Sequence, residues 1–212
     1  MDLNRLSNKI LEILNRDGEN IVSSNSMSSP RSIGDAVQEF LAEGGLEEAL
    51  SEVGISSVRS GATRRSMEDV SFEDNDGLYY AVDVKTHNLE TQFNMPNLIS
   101  VRRIANFYKD DNNTFCILIV AYRVIDNRLI YEDCYFKPIE AFSWNCLTLG
   151  ALGWGQIQIA NANTLIFNES IDRKQWMLDM CDKLEIFYNE EIGKIGERKN
   201  WFSNIKIEWE NK

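Results

Sequence analysis

Histidine occurs once, at His87, and the four cysteines, Cys116, Cys134, Cys146 and Cys181, are widely spaced with no CxxC pair. These shortages argue against a zinc site and a disulfide framework, and fit reduced thiols in a cytoplasmic protein. No apolar run approaches a membrane span, and the opening Met1-Asp2-Leu3-Asn4-Arg5 lacks the shape of a signal peptide. Basic residues are scarce too. Lysine and arginine total 22 against 33 acids, a formal net charge of −11 in 212 residues. That balance counts against a general phosphate-neutralising binder, whose affinity comes largely from Lys and Arg. Net charge does not fix local charge, however: Arg59, Arg64 and Arg65 precede the stretch from Met67 to His87, and Arg102 and Arg103 follow it. Neither an internal repeat nor an inter-domain linker interrupts the chain, so residues 1–212 read as one domain.

The chain is organised around Met67 to His87. Two extended arms flank Asn75-Asp76-Gly77, a hairpin signal, because Asp-Gly supplies the positive-φ positions of a tight two-residue turn. The second arm, Leu78 to Thr86, is aromatic and β-branched, the composition of a buried strand, yet it carries Asp83 and Lys85. Period-two geometry puts those two side chains on one face. The first arm supplies Asp69. Charges that interrupt an apolar strand are costly to desolvate unless they are paired or bound to metal. Two carboxylates and an ammonium at a strand end are the parts of a Mg²⁺ site for hydrolytic phosphoryl transfer. A salt-bridged polar face on an edge strand is the bland alternative. The same acid-x-Lys tripeptide recurs at Asp172-Arg173-Lys174, Glu197-Arg198-Lys199 and Glu210-Asn211-Lys212, but in helical or tail contexts.

The wider run resembles the PD-(D/E)xK nuclease core, and in detail type II restriction endonucleases. The resemblance rests on Arg65-Ser66-x-x-Asp69, Gly77-Leu78-Tyr79-Tyr80, Val82-Asp83-Val84-Lys85-Thr86-His87 and Asn94-Met95-Pro96-Asn97-Leu98-Ile99-Ser100-Val101. One residue departs from the pattern: Glu68 stands where the family's name places proline, which leaves Glu68 beside Asp69 as an alternative ligand. The resemblance implies Mg²⁺ held by Asp69, Asp83 and the Val84 carbonyl, with Lys85 orienting the attacking water. It also implies an acidic residue from the helix before the sheet, for which Glu39 is the candidate and Asp35 a weaker one. Cleavage would leave 5′-phosphate and 3′-hydroxyl ends.

Taken in order, residues 2–15 form a helix by the spacing of Leu3, Leu6, Ile10 and Leu14, and Ser23 to Ser29 a loop ending at Pro30. A second helix is expected over 32–43, stopped by Gly44-Gly45, with a short helical segment over 46–53. Strands follow at 55–59 and in the hairpin, then a helix opened by Met95-Pro96-Asn97, then an apolar central strand over 114–125 that turns at Asp126-Asn127-Arg128 into 129–136. This order is an α/β (α+β mixed) arrangement, the αβββαβ of the restriction-endonuclease-like core, with a mixed central sheet flanked by helices. Residues 1–54 are the N-terminal helices, 55–125 the catalytic core and 126–212 an elaboration with DNA contacts and a possible dimer surface. Within that elaboration a long helix is expected over 172–192 and a final strand over 205–209.

The expected function is a Mg²⁺-dependent, sequence-specific endonuclease on double-stranded DNA. Palindromic sites favour a homodimer, because protein symmetry mirrors site symmetry. The expected DNA contacts are Arg64, Arg65, Asn94, Asn97, Arg102, Gln156 and Gln158, since Asn or Gln suits adenine and Arg suits guanine in the major groove. A structure-specific repair or junction-resolving nuclease, or a catalytically silent DNA-binding protein, is compatible with the same core.

Overall fold

The structure, a computed structural model, describes residues 1–18, 21–22, 29–55, 58–60 and 67–212. Arg64, Arg65 and most of the serine-rich stretch lie outside the described residues. Helix α1 (Leu3–Asp17) starts where the Asp2 carboxylate accepts the Asn4 and Arg5 N–H groups, and its buried stripe is Leu6, Ile10, Ile13 and Leu14. Helix α2 (Pro30–Phe40) has Ser29 as its cap and Pro30 in its first turn. Gly44 ends the first helical run, its backbone being non-helical. With φ near 140° it bends the chain through Leu41–Gly45 into α3 (Leu46–Ser51).

The central sheet is mixed and five-stranded, in the order β1-β2-β3-β5-β6. Its strands are β1 (Val58–Ser60), β2 (Val70–Glu73), β3 (Tyr79–Asn88), β5 (Asn113–Ile125) and β6 (Arg128–Pro138). Only the β3–β5 pair is parallel, and the crossover between them runs through β4 (Asn97–Ser100) and α4 (Val101–Phe107). The order helix, three strands, helix, strand is therefore present, with β4 added before the second helix. A three-stranded sheet, β4-β8-β7, is built from β4, β7 (Leu147–Gly150) and β8 (Gln156–Ile159).

Side-chain alternation along β5 divides the core. Cys116, Leu118, Val120 and Tyr122 face α1, α2 and α3, whereas Phe115, Ile117 and Ile119 face α4, the small sheet and α5 (Arg173–Glu210). On β3, Tyr80, Val82 and Val84 join the first core and Ala81 the second. Asp83 follows Ala81 on that second face, opposite Ile117 in the register. Trp176 anchors the start of α5 there: it is fully buried, its ring lies 4.9 Å from that of Trp144 at a 30° tilt, and it donates its indole N–H to the Phe142 carbonyl at 3.0 Å.

Three expectations are corrected. The β2–β3 connection spans Asp74–Leu78 instead of a two-residue turn, because the Asp74 carboxylate accepts the N–H groups of both Asp76 and Leu78, and only Gly77 takes positive φ. The helix after Pro96 begins at Val101, capped by Ser100, while Asn97–Ser100 pair with β8 and bury Leu98 and Ile99. Residues 205–209 are helical: α5 runs unbroken for 38 residues, and among the described residues no strand pairs with it to reward the alternation of Ile205, Ile207 and Trp209. Among the described residues no helix is long and apolar enough to cross a membrane.

Trp176→Ala removes the largest anchor of the second core, a change that costs roughly 3–5 kcal/mol. In a chain of this size the melting temperature should fall on the order of 10 °C. A shift of only about 2 °C, within the effect of a single kcal/mol, would contradict the anchoring role.

Candidate active site

The site forms where β2 starts short of its neighbour. Val70 pairs with Val82, so Val84 lies past the end of β2 and its N–H has no strand partner on that side. The Asp69 carboxylate fills the gap, accepting the Val84 N–H through Oδ2 at 2.7 Å. Its Oδ1 accepts from the Gln38 side-chain amide, also at 2.7 Å. In extended backbone the C=O of a residue points to the same side as its N–H, so the Val84 carbonyl faces this gap as well. The Lys85 ammonium lies 3.5 Å from it.

Asp83 is 7% exposed. Lys85 Nζ donates to its Oδ1 at 2.6 Å, while Oδ2 is buried with no hydrogen-bond partner. Burial pushes its carboxyl up to about 7 from the ordinary 3.8; the Lys85 charge opposes that shift and the Asp69 charge adds to it. Two carboxylates and one ammonium share a single low-dielectric corner, so the arrangement is short of positive charge.

Asp69 and Asp83 line a cleft of about 460 Å³, together with Met67, Ser100 and Arg103, and its rim is formed by Leu152, Trp154 and Gln156. Met67 and Asp69 face the cleft; Glu68, between them, does not line it. The rim loop between β7 and β8 is held from two sides. The Val101 N–H donates to the Gly155 carbonyl, Arg102 lies 4.9 Å over the Trp154 ring, and Tyr188 of α5 donates to the Trp154 carbonyl at 2.5 Å. Gly155 has φ near 101°, and a Cβ there would sit 3.5–3.7 Å from Val101, Leu184 and Phe187. The loop thus favours glycine at this point for its conformation, since a Cβ would meet its neighbours only at ordinary contact distance.

The other expected residues are scattered around this centre. Glu39 is exposed, and none of its described contacts reaches Asp69 or Asp83; Asp35 faces solvent beside Arg31. The helix residue that does reach the site is Gln38, one position and about 100° around the helix from Glu39. Gln156 lines the cleft, but Gln158 donates to Asn97 across the β4–β8 pair, and Asn94 donates to the buried His87 ring. The other nitrogen of that ring meets Asn163 at 2.9 Å, so the lone histidine ties two loops together. Sequence reasoning missed Gln38, Arg103 and the apolar rim residues Leu152 and Trp154. Gln38 leaves a signal in its place beside Glu39 on the helix before the sheet, and Arg103 another as part of the local positive charge that follows the hairpin. Among the described residues no group of three or more His, Cys, Asp or Glu side chains is placed to hold a metal ion; the candidate centre has two carboxylates and a carbonyl.

A stability test follows from the Asp83 environment. The folded state binds the Asp83 proton more tightly than the unfolded chain does, so stability without divalent cation falls as pH rises from about 4 to about 7. Asp83→Asn removes that penalty and keeps an acceptor for Lys85. In chelator at pH 8 the variant should melt several degrees above the wild type, and the two should converge towards pH 4. A wild type that is equal or superior at pH 8 would contradict the burial argument. No protein-family model matches this chain, and no curated protein matches it.

Proposed function

We propose that this chain is a Mg²⁺-dependent endonuclease on a restriction-endonuclease-like αβββαβ core, cutting specific sites in double-stranded DNA as a homodimer. The observation that carries the reading is the buried, unpartnered Oδ2 of Asp83, a residue that lines the cleft with Asp69, while Lys85 holds the other oxygen. The donor set suits a small hard cation. Asp69, Asp83 and the Val84 carbonyl would hold Mg²⁺, which needs only one or two carboxylates because it keeps several waters. When bound, the ion supplies Lewis acidity towards a phosphodiester oxygen.

The chain's own groups do the rest. Lys85, fixed by Asp83, sets a positive charge where an attacking water loses its proton and the phosphoryl oxygens gain charge. Gln38 and the Val84 N–H each occupy one lone pair of Asp69 and fix the plane of its carboxylate, so the remaining lone pairs have a set direction. In-line attack on phosphorus breaks the bond to the 3′-oxygen, leaving a 5′-phosphate and a 3′-hydroxyl. Arg103 in the cleft and Arg102 on Trp154 supply cations for the backbone in an otherwise acidic chain, and the Gln156 amide is the group best placed to read a base edge.

Plasmid DNA incubated with Mg²⁺ should give discrete fragments with 5′-phosphate ends, and Lys85→Ala should slow single-turnover cleavage by a factor on the order of a hundred. The melting temperature of that variant should hold, because Lys85 is partly exposed and loss of its charge lets the buried Asp83 carboxyl take up a proton more readily. Cutting of branched DNA alone would replace site reading with shape reading. No cleavage of any DNA in Mg²⁺ or Mn²⁺ would overturn the proposal.

A further inference from the structure

Trp154 is 61% exposed and Leu152 65%. Both stand on the rim of the cleft that Asp69 and Asp83 line. The backbone that carries them is braced. The Leu152 N–H donates to the Gly150 carbonyl and the Gly155 N–H to the Leu152 carbonyl, while Val101 and Tyr188 hold the Gly155 and Trp154 carbonyls from α4 and α5. An indole held in water on a braced loop adds little to either core. A large ring that is both rigid and exposed is instead the kind of side chain that binding surfaces use, because little order is lost when a ligand covers it. One face of this ring is already taken: the Arg102 guanidinium lies over it, 4.9 Å from the ring centre. Among the described residues no aromatic ring stacks on Trp154. A flat π-system laid on the opposite face would complete a stack of guanidinium, indole and ligand.

The cleft sets the other properties of that ligand. Arg103 lines it and supplies a cation for an attached phosphate, and the Gln156 amide, also in the cleft, offers both a donor and an acceptor to a heterocycle edge. A peptide aromatic would satisfy the indole and leave these groups unanswered; a nucleotide answers all three. At about 460 Å³ the cleft has the size of a pocket for one small ligand, roughly 300–1,000 Å³. A base inside a duplex has both faces covered by its neighbours, so only an unstacked base can present a face to Trp154.

We infer that the cleft takes one unstacked nucleotide, with its base lying on the Trp154 indole and its phosphate towards Arg103. The inference rests on the nuclease reading for the ligand being DNA, and goes beyond it in requiring the strand to be locally unpaired at the site. Such a nucleotide comes from a single strand or from a position turned out of a duplex. The stack accepts any base, since every base has a π-face.

Fluorescence of 2-aminopurine tests it, with Ca²⁺ as the divalent ion, whose ligand geometry is looser than that of Mg²⁺. A short thymine strand carrying one 2-aminopurine is offered alone, annealed with an abasic position opposite the probe, and annealed to its full complement. The first two should bind saturably and be quenched as the probe stacks, and the full duplex should bind about tenfold more weakly or worse. Trp154→Ala should weaken the first two about tenfold or more and abolish the quench, whereas Trp154→Phe should keep both. An unchanged melting temperature for each variant verifies the fold. No binding by the wild type, equal binding by Trp154→Ala, or a full duplex bound as tightly as the unpaired probes would overturn the inference. A loss confined to the full duplex, and shared by Leu152→Ala, would also overturn it, in favour of a wedge between base pairs. Cleavage separates the two claims. Stacking without cutting would sink the nuclease reading alone, and cutting by a Trp154→Ala protein that binds like the wild type would sink the inference alone.

Discussion

The structure turns on one costly placement, a carboxylate on the central strand of a sheet covered on both faces. Asp83 occupies a position on β3 whose neighbours along the same face and across the register are Ala81 and Ile117. An apolar side chain there would extend the second core without cost. Instead burial raises the Asp83 carboxyl to about 7, and one of its oxygens has no partner. The surroundings reduce the penalty without removing it. Lys85 is drawn onto the strand face, β2 starts late, and Asp69 enters the space that a longer β2 would fill. Strained electrostatics of this kind concentrate at functional sites, because a folded chain gains nothing else from them.

Much of this centre was legible in the sequence, for a reason that is local. Strand period fixes that Asp83 and Lys85 share a face, and the apolar run around them fixes that the face is buried. The cleft residues beyond the hairpin were less legible. Gln38 was missed by one position because a helix rotates about 100° per residue and no periodicity sharpens the choice between two adjacent polar side chains. The rim was missed because Leu152 and Trp154 come from a glycine-rich loop whose path is set by contacts with α4 and α5. Among the amides expected to face DNA, Asn97 and Gln158 bond to each other, a pairing that follows from the β4–β8 register. That register was hidden by reading β4 as the first turn of a helix.

The fold supports the site from both sides of the sheet. The first core sets α2, and with it Gln38, against the edge where β2 begins. The second core sets α4 and the small sheet so that the rim loop overhangs the carboxylates. In the proposed reading, the acidic charge of the whole chain is consistent with dependence on a cation. A cleft that holds two carboxylates repels a phosphodiester until positive charge is bound there, and Arg103 in the cleft and Arg102 on Trp154 add to the Lys85 charge.

Asp83 and Asp69 are proposed to form a divalent-cation site together, and direct ion binding tests this without reference to cleavage. Mn²⁺ is titrated into the wild type and into Asp83→Asn, and the free ion is read by its electron paramagnetic resonance signal. The wild type should bind saturably, with affinity weakened about tenfold or more in the variant. Equal binding by the two proteins would contradict it.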